Sequence, residues 1–152
     1  MLLLAAGCAP RGKVEPPEPG KDALEPGALL RLQDGEMRPF SQAAFLDQTA
    51  GVDYVLLGEG HTVACDHKVQ AHLLDLLGQG QGRWAVGLEM LGADQQFRLD
   101  AVNRKAGQLL DDLQALQSEL AWERNWGYGF ELYAPVLQAA MRQGMPLYAL
   151  NV

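Results

Sequence analysis

The stretch Asp53-Tyr54-Val55-Leu56-Leu57-Gly58-Glu59-Gly60-His61 decides how the rest of the chain is read. Four of its first five residues are apolar or β-favouring and the run is of ordinary strand length, which predicts a short buried strand. Gly58 breaks the run, and Glu59 and His61 follow where the strand should end. Val86-Gly87-Leu88-Glu89-Met90 repeats the layout, an apolar strand closed by a carboxylate, and Leu147-Tyr148-Ala149-Leu150-Asn151 repeats it with an amide. Helical patterns separate the three. The expected fold is therefore α/β, a mainly parallel sheet with flanking helices in the order β-α-β-α-β. In such sheets ligands bind outside the carboxyl ends of the strands, an edge that would carry Glu59, His61, Glu89 and Asn151.

Working outward, a helix from about Ala64 to Leu77 presents Val69, Leu73, Leu76 and Leu77 on one face. Gly78, Gly80 and Gly82 form the loop to the second strand. Upstream, Leu29-Leu30-Arg31-Leu32 reads as a strand and Asp34-Gly35 as a turn, and Ser41 caps a helix to about Gln48 that buries Ala44, Phe45 and Leu46. Downstream, Asp94 is placed to cap a helix with Phe97 and Val102. A second helix holds Leu109, Leu110, Leu113, Leu116 and Leu120, and a third runs from about Phe130 to Gln143. The chain stops at Val152, directly past the third strand. The domain is thus expected to be truncated before it is complete, with an uncovered edge on its last strand.

The 152 residues give room for one domain, and 48% apolar content suffices for a core. A net charge of −7 with no basic run argues against a nucleic-acid partner. No apolar stretch is long enough to span a bilayer. Met1–Gly7 is apolar and ends in small residues before Cys8, which resembles the end of a bacterial lipoprotein signal peptide, where the cysteine becomes the acylated N-terminus. Ala5 stands where Leu is commoner and no basic segment precedes it, so the true start is expected upstream of Met1. Ala9–Pro26 carries five prolines and few apolar residues, a spacer of about 50 Å at about 3 Å per residue. The organisation read from this is a partial lipoprotein signal peptide over 1–7, a proline-rich linker over 8–26 and a folded domain over 27–152. Cys65 reads as a small core residue, and its pairing with Cys8 across the linker is not expected.

A Glu-x-His at one strand end with a second glutamate from the next suits a divalent metal held by oxygen and nitrogen, or a general acid/base pair. The metal candidates are Glu59, His61, Glu89 and His67, the last six residues beyond His61 at the start of a helix. The competing structural readings are that Glu59 and Glu89 are helix N-terminal charges and His67 a solvated first-turn histidine. His72 sits mid-helix with no partner in view. The aromatics Trp122, Trp126, Tyr128, Phe130 and Tyr133 read first as core. Tyr128 and Tyr133 are also candidate haem ligands, because a tyrosinate can hold haem iron. No phosphate loop, nucleophile elbow or zinc-spaced cysteine pair is present.

Leu57-Gly58-Glu59-Gly60-His61, His67 with Gln70, Gly87-Leu88-Glu89-Met90, Asp94-Gln95-Gln96, Trp122, Asn125-Trp126-Gly127-Tyr128, Leu132-Tyr133 and Ala149-Leu150-Asn151-Val152 together resemble the ChaN-type haem-binding uptake lipoprotein family. That family lies in a superfamily with the Tiki and TraB proteins. The resemblance makes 27–152 the N-terminal part of a ChaN-like haem-binding domain. It implies an outer-membrane lipoprotein of the cell envelope, with haem as ligand, the membrane as partner through a lipid on Cys8, and a homodimer as the assembly in which a tyrosine, not assigned here, holds haem. The alternative it carries is a metal-dependent hydrolase or protease of the Tiki or erythromycin-esterase-like type, with Glu59, His61 and Glu89 as catalytic residues around a divalent metal.

Overall fold

The computed structural model describes residues 28–152, so the signal-peptide, linker and Cys8 readings lie outside the described residues. The chain divides into two compact units that meet at Gly58 and Glu59.

In the first unit, β1 (Leu29–Gln33) and β2 (Glu36–Phe40) form an antiparallel hairpin. Asp34 and Gly35 both take positive φ at its tip, 52° and 81°, which Asp and Gly tolerate and which suits the twist of a two-residue turn. α1 (Gln42–Thr49) begins at Ser41, whose hydroxyl accepts from Ala44 N at 3.1 Å, and it buries Phe45. β1, the turn and α1 match the sequence reading, and β2 is an element it did not include. Asp53–Leu57 departs from it and forms no strand. Tyr54 and Leu56 are exposed and alternate with half-buried Val55 and Leu57. Apolar composition marks side chains suited to burial, but a strand also needs a neighbour to complete its ladder, and composition cannot supply one.

The second unit contains α2 (Ala64–Gln79), β3 (Val86–Gly92), a single 3₁₀ turn (Ala93–Gln95), α3 (Gln96–Leu109), α4 (Leu113–Leu120), α5 (Trp122–Asn125), α6 (Phe130–Arg142) and β4 (Leu147–Asn151). β3 and β4 pair in parallel with Val86 opposite Leu147 and Leu88 opposite Ala149, and the register slips before Gly92 meets Asn151. The observed sheet is thus a parallel pair joined through helices, not the three-stranded parallel sheet expected. Helix α2 packs on α6, and α3 packs on α4 and β4. Leu73, Leu74, Leu76 and Leu77 of α2 and Val136, Leu137, Ala139 and Ala140 of α6 are buried. Each fully buried Leu or Val contributes roughly 1.5–3 kcal/mol, so this helix pair carries much of the unit's stability.

Three local expectations change. Asp94 does not cap α3: it lies inside the 3₁₀ turn and accepts from Gln95 Nε2. The second helix starts at Leu113, capped by Asp112, whose carboxylate accepts from Ala115 N at 2.9 Å. The outer edge of β4 is covered. Asn103 of α3 donates to Leu147 O and accepts from Leu147 N, and Gln96 accepts from Ala149 N. Side-chain amides there take the place of a neighbouring strand's backbone groups. Cys65 is half-buried in the first turn of α2. Among the described residues no helix is long and apolar enough to cross a membrane.

Candidate functional site

Glu59, Gly60 and His61 lie in the irregular segment that leads into α2. Two features fix that segment. Asp66, in the first turn of α2, accepts from Gly60 N at 2.9 Å. A Cβ on Gly60 would stand 2.9 Å from Val63 Cγ2, closer than side chains normally approach, so this position favours glycine for space. Sequence reasoning passed over Asp66; its signal is an acid six residues after the glycine, in the first helical turn. Asp66, and not Glu59, is the acid that meets the α2 N-terminus. Glu89 lies within β3, short of the turn that follows.

The carboxylate of Glu59 is 5% exposed and three groups converge on it. His61 Nδ1 lies 2.6 Å from Oε1, the Tyr133 hydroxyl donates to Oε1 at 3.1 Å, and His67 Nε2 lies 2.9 Å from Oε2. His67 is fully buried, which corrects its reading as a solvated first-turn residue. Its Nδ1 lies 3.0 Å from Val63 O. A carbonyl only accepts, so Nδ1 carries a proton, and Nε2 is the nitrogen turned toward Glu59 Oε2. Glu59 Oε2 and His67 Nε2 are both buried without a hydrogen-bond partner despite their separation. The short contact is an ion pair when Nε2 carries a proton, and otherwise leaves both atoms open to a cation.

Glu89 Oε1 lies 3.8 Å from His61 Nδ1, and one ligand atom from each of Glu59, His61 and Glu89 falls within 4.8 Å of the others. The structure thus brings these three candidates together, with His67 behind Glu59. Asn151 stands apart: it pairs with Gly92, and its Oδ1 accepts from Val152 N. His72 is exposed. Glu89 is the open member of the set, 59% exposed. Two carboxylates, one imidazole and an orphaned buried oxygen and nitrogen fit a divalent cation with mixed oxygen and nitrogen ligands.

The aromatic segment splits into a core half and an open half. Trp122, Phe130 and Tyr133 are buried, and their rings meet at 5.1–5.4 Å. Trp122 Nε1 donates to Tyr128 O at 2.8 Å, and Asn125 Nδ2 donates to Leu120 O at 2.9 Å where Ala121 turns left-handed. Those bonds hold the loop that presents Tyr128. Tyr128 is 38% exposed, 4.8 Å from the His61 ring and 5.5 Å from Trp126, which itself meets His61 at 5.2 Å. Tyr133 is 1% exposed, and burial, with the neighbouring Glu59 carboxylate adding to it, pushes its pKa up to about 12.

The second unit is thus an α/β unit with a Glu/His cluster beside a partly open aromatic group. The family model described as Haem-binding uptake, Tiki superfamily, ChaN matches residues 45–152, well over half of the chain, and the chain belongs to that family. The match spans Glu59, His61, Glu89 and the aromatic segment alike. No curated protein and no solved structure matches the chain.

Proposed function

We propose that this chain is a haem-binding lipoprotein of the cell envelope that acts in haem or iron uptake. The observation that carries the reading is the split between the two candidate tyrosines. Tyr128 is the accessible one, with the rings of His61 and Trp126 beside it, whereas the Tyr133 hydroxyl is buried and committed to Glu59. Bound haem would supply a ferric iron that a tyrosinate oxygen can hold. Tyr128 would be that ligand, and Trp126 and His61 would offer apolar and aromatic surface to the macrocycle. Family membership supports the same ligand. The test is a haem titration of the full chain followed by absorption spectroscopy. The wild type should give an oxygen-ligated ferric spectrum, and Tyr128→Phe should lose it. An unchanged spectrum in Tyr128→Phe overturns the assignment.

A second reading is favoured by the approach of Glu59, His61 and Glu89 within 4.8 Å of one another. On this reading the chain is a metal-assisted hydrolase of the Tiki or erythromycin-esterase-like type. A divalent cation would supply Lewis acidity and lower the pKa of bound water. Glu59, His61 and His67 would hold it from the buried side, and Glu89, the exposed carboxylate, would take up a proton from water. Hydrolysis of a peptide or ester that requires added metal, in protein that does not bind haem, would select this reading over the first.

A further inference from the structure

We propose that Tyr133 is a positioning residue that holds the Glu59 carboxylate in the orientation the cation site requires. The inference rests on the cation-binding reading of Glu59, His61 and Glu89. Glu59 is carried by an irregular segment, which by itself does not fix a side chain. Tyr133 is carried by α6 on the face that also buries Phe130, Ala134 and Leu137, so its ring has little freedom. The ring lies 4.3 Å from the His67 ring and 5.1 Å from Trp122. His67 belongs to α2, and α2 packs on α6. Glu59 is thus gripped between two packed helices, with Tyr133 at one oxygen and His67 at the other.

The direction of the Tyr133 bond determines what it does. A phenol donates one proton, and here it donates to Oε1, the oxygen that His61 also meets. The bond fixes the rotation of the carboxylate about its last torsion. Oε1 is then held on the side shared by His61 and Glu89, and Oε2 toward His67. Without it the carboxylate rotates and Glu59 Oε1 no longer converges with His61 and Glu89. Partners that orient metal ligands in this way commonly change metal affinity by about 10–100-fold when removed.

The experiment uses the full chain, with Mn²⁺ as the calorimetric probe and the imidazole ¹⁵N shifts of His61 and His67 as a metal-free readout. Tyr133→Phe should bind Mn²⁺ about 10–100-fold more weakly than wild type and should shift the His61 nitrogens, with its thermal transition retained. Placing para-aminophenylalanine at 133, which restores a donor, should recover most of the affinity. Unchanged affinity and unchanged imidazole shifts in Tyr133→Phe overturn the proposal. If Tyr133→Phe does not fold, 3-fluorotyrosine at 133 keeps the shape and strengthens the donor, and an unmoved His61 signal then overturns it. Equal Mn²⁺ binding by wild type and Glu59→Gln sinks the cation reading itself, and the metal-free imidazole shifts then decide the role of Tyr133.

Discussion

His67 Nε2 lies 2.9 Å from Glu59 Oε2, and the two buried atoms share no hydrogen bond. A buried carboxylate oxygen and imidazole nitrogen so close require positive charge at the contact, as a proton on Nε2 or as a metal ion. A cation that binds the folded state alone stabilises it by about 2.7 kcal/mol at a hundredfold excess over its Kd. Adding Mn²⁺ or Zn²⁺ to the full chain should therefore raise the Tm, a chelator should reverse the rise, and Glu59→Gln should abolish it. A Tm that ignores both metals in the wild type would show that a proton fills the gap.

The buried Tyr133 hydroxyl sets a pH dependence. Its folded pKa is raised to about 12 from an ordinary value of 10.0. Below pH 10 both folded and unfolded chains keep the proton, and the full contribution is present. Between about pH 10 and 12 the unfolded chain releases the proton and the folded chain holds it, so stability falls as pH rises. Urea unfolding of wild type and Tyr133→Phe across pH 8–11.5 isolates this from the lysines, which both share. The wild type should lose more stability above pH 10 than the variant. Parallel curves would mean that Tyr133 ionises in the folded state as freely as in the unfolded one.

The lipoprotein reading predicts that Cys8 is lipidated and that Cys8→Ser releases the protein from membranes or leaves it unprocessed. Equal membrane recovery of both forms would refute the anchor.

What was legible in the sequence follows from which forces leave a local trace. The Ser41 cap, the Asp34-Gly35 turn, the face of α2 and the extent of α6 are written in neighbouring residues, and each formed as read. So did the approach of Glu59, His61 and Glu89, although the reason offered for it, three successive parallel strands, was only partly right. The Asp53–Leu57 strand failed because pairing depends on residues far away in sequence. The split between Tyr128 and Tyr133 was illegible for the same reason. Both sit in one aromatic run, and only the Trp122 bond to Tyr128 O and the Tyr133 bond to Glu59 separate an open ring from a sealed one.

The covered edge of β4 makes the last prediction. Asn103 supplies Leu147 with both a donor and an acceptor, at 3.0 and 2.9 Å, as a neighbouring strand would. Leu147 is fully buried, so water cannot replace an amide that is removed. Asn103→Ala leaves the Leu147 N–H without a partner, whereas Leu147 O keeps a longer bond from Gln96 at 3.4 Å. An unsatisfied buried donor costs about 1–3 kcal/mol, and a loss near the middle of that range is expected in urea unfolding. Gln96→Ala should cost less, because the Ala149 N–H it frees belongs to a half-buried residue that water can reach. Asn103→Asp keeps an acceptor for Leu147 N but turns an oxygen toward Leu147 O, so it should destabilise more at pH 7 than at pH 3, where the protonated carboxyl can donate. If Asn103→Ala costs no more than Gln96→Ala, the amide is not substituting for a strand, and the edge of β4 is protected in some other way.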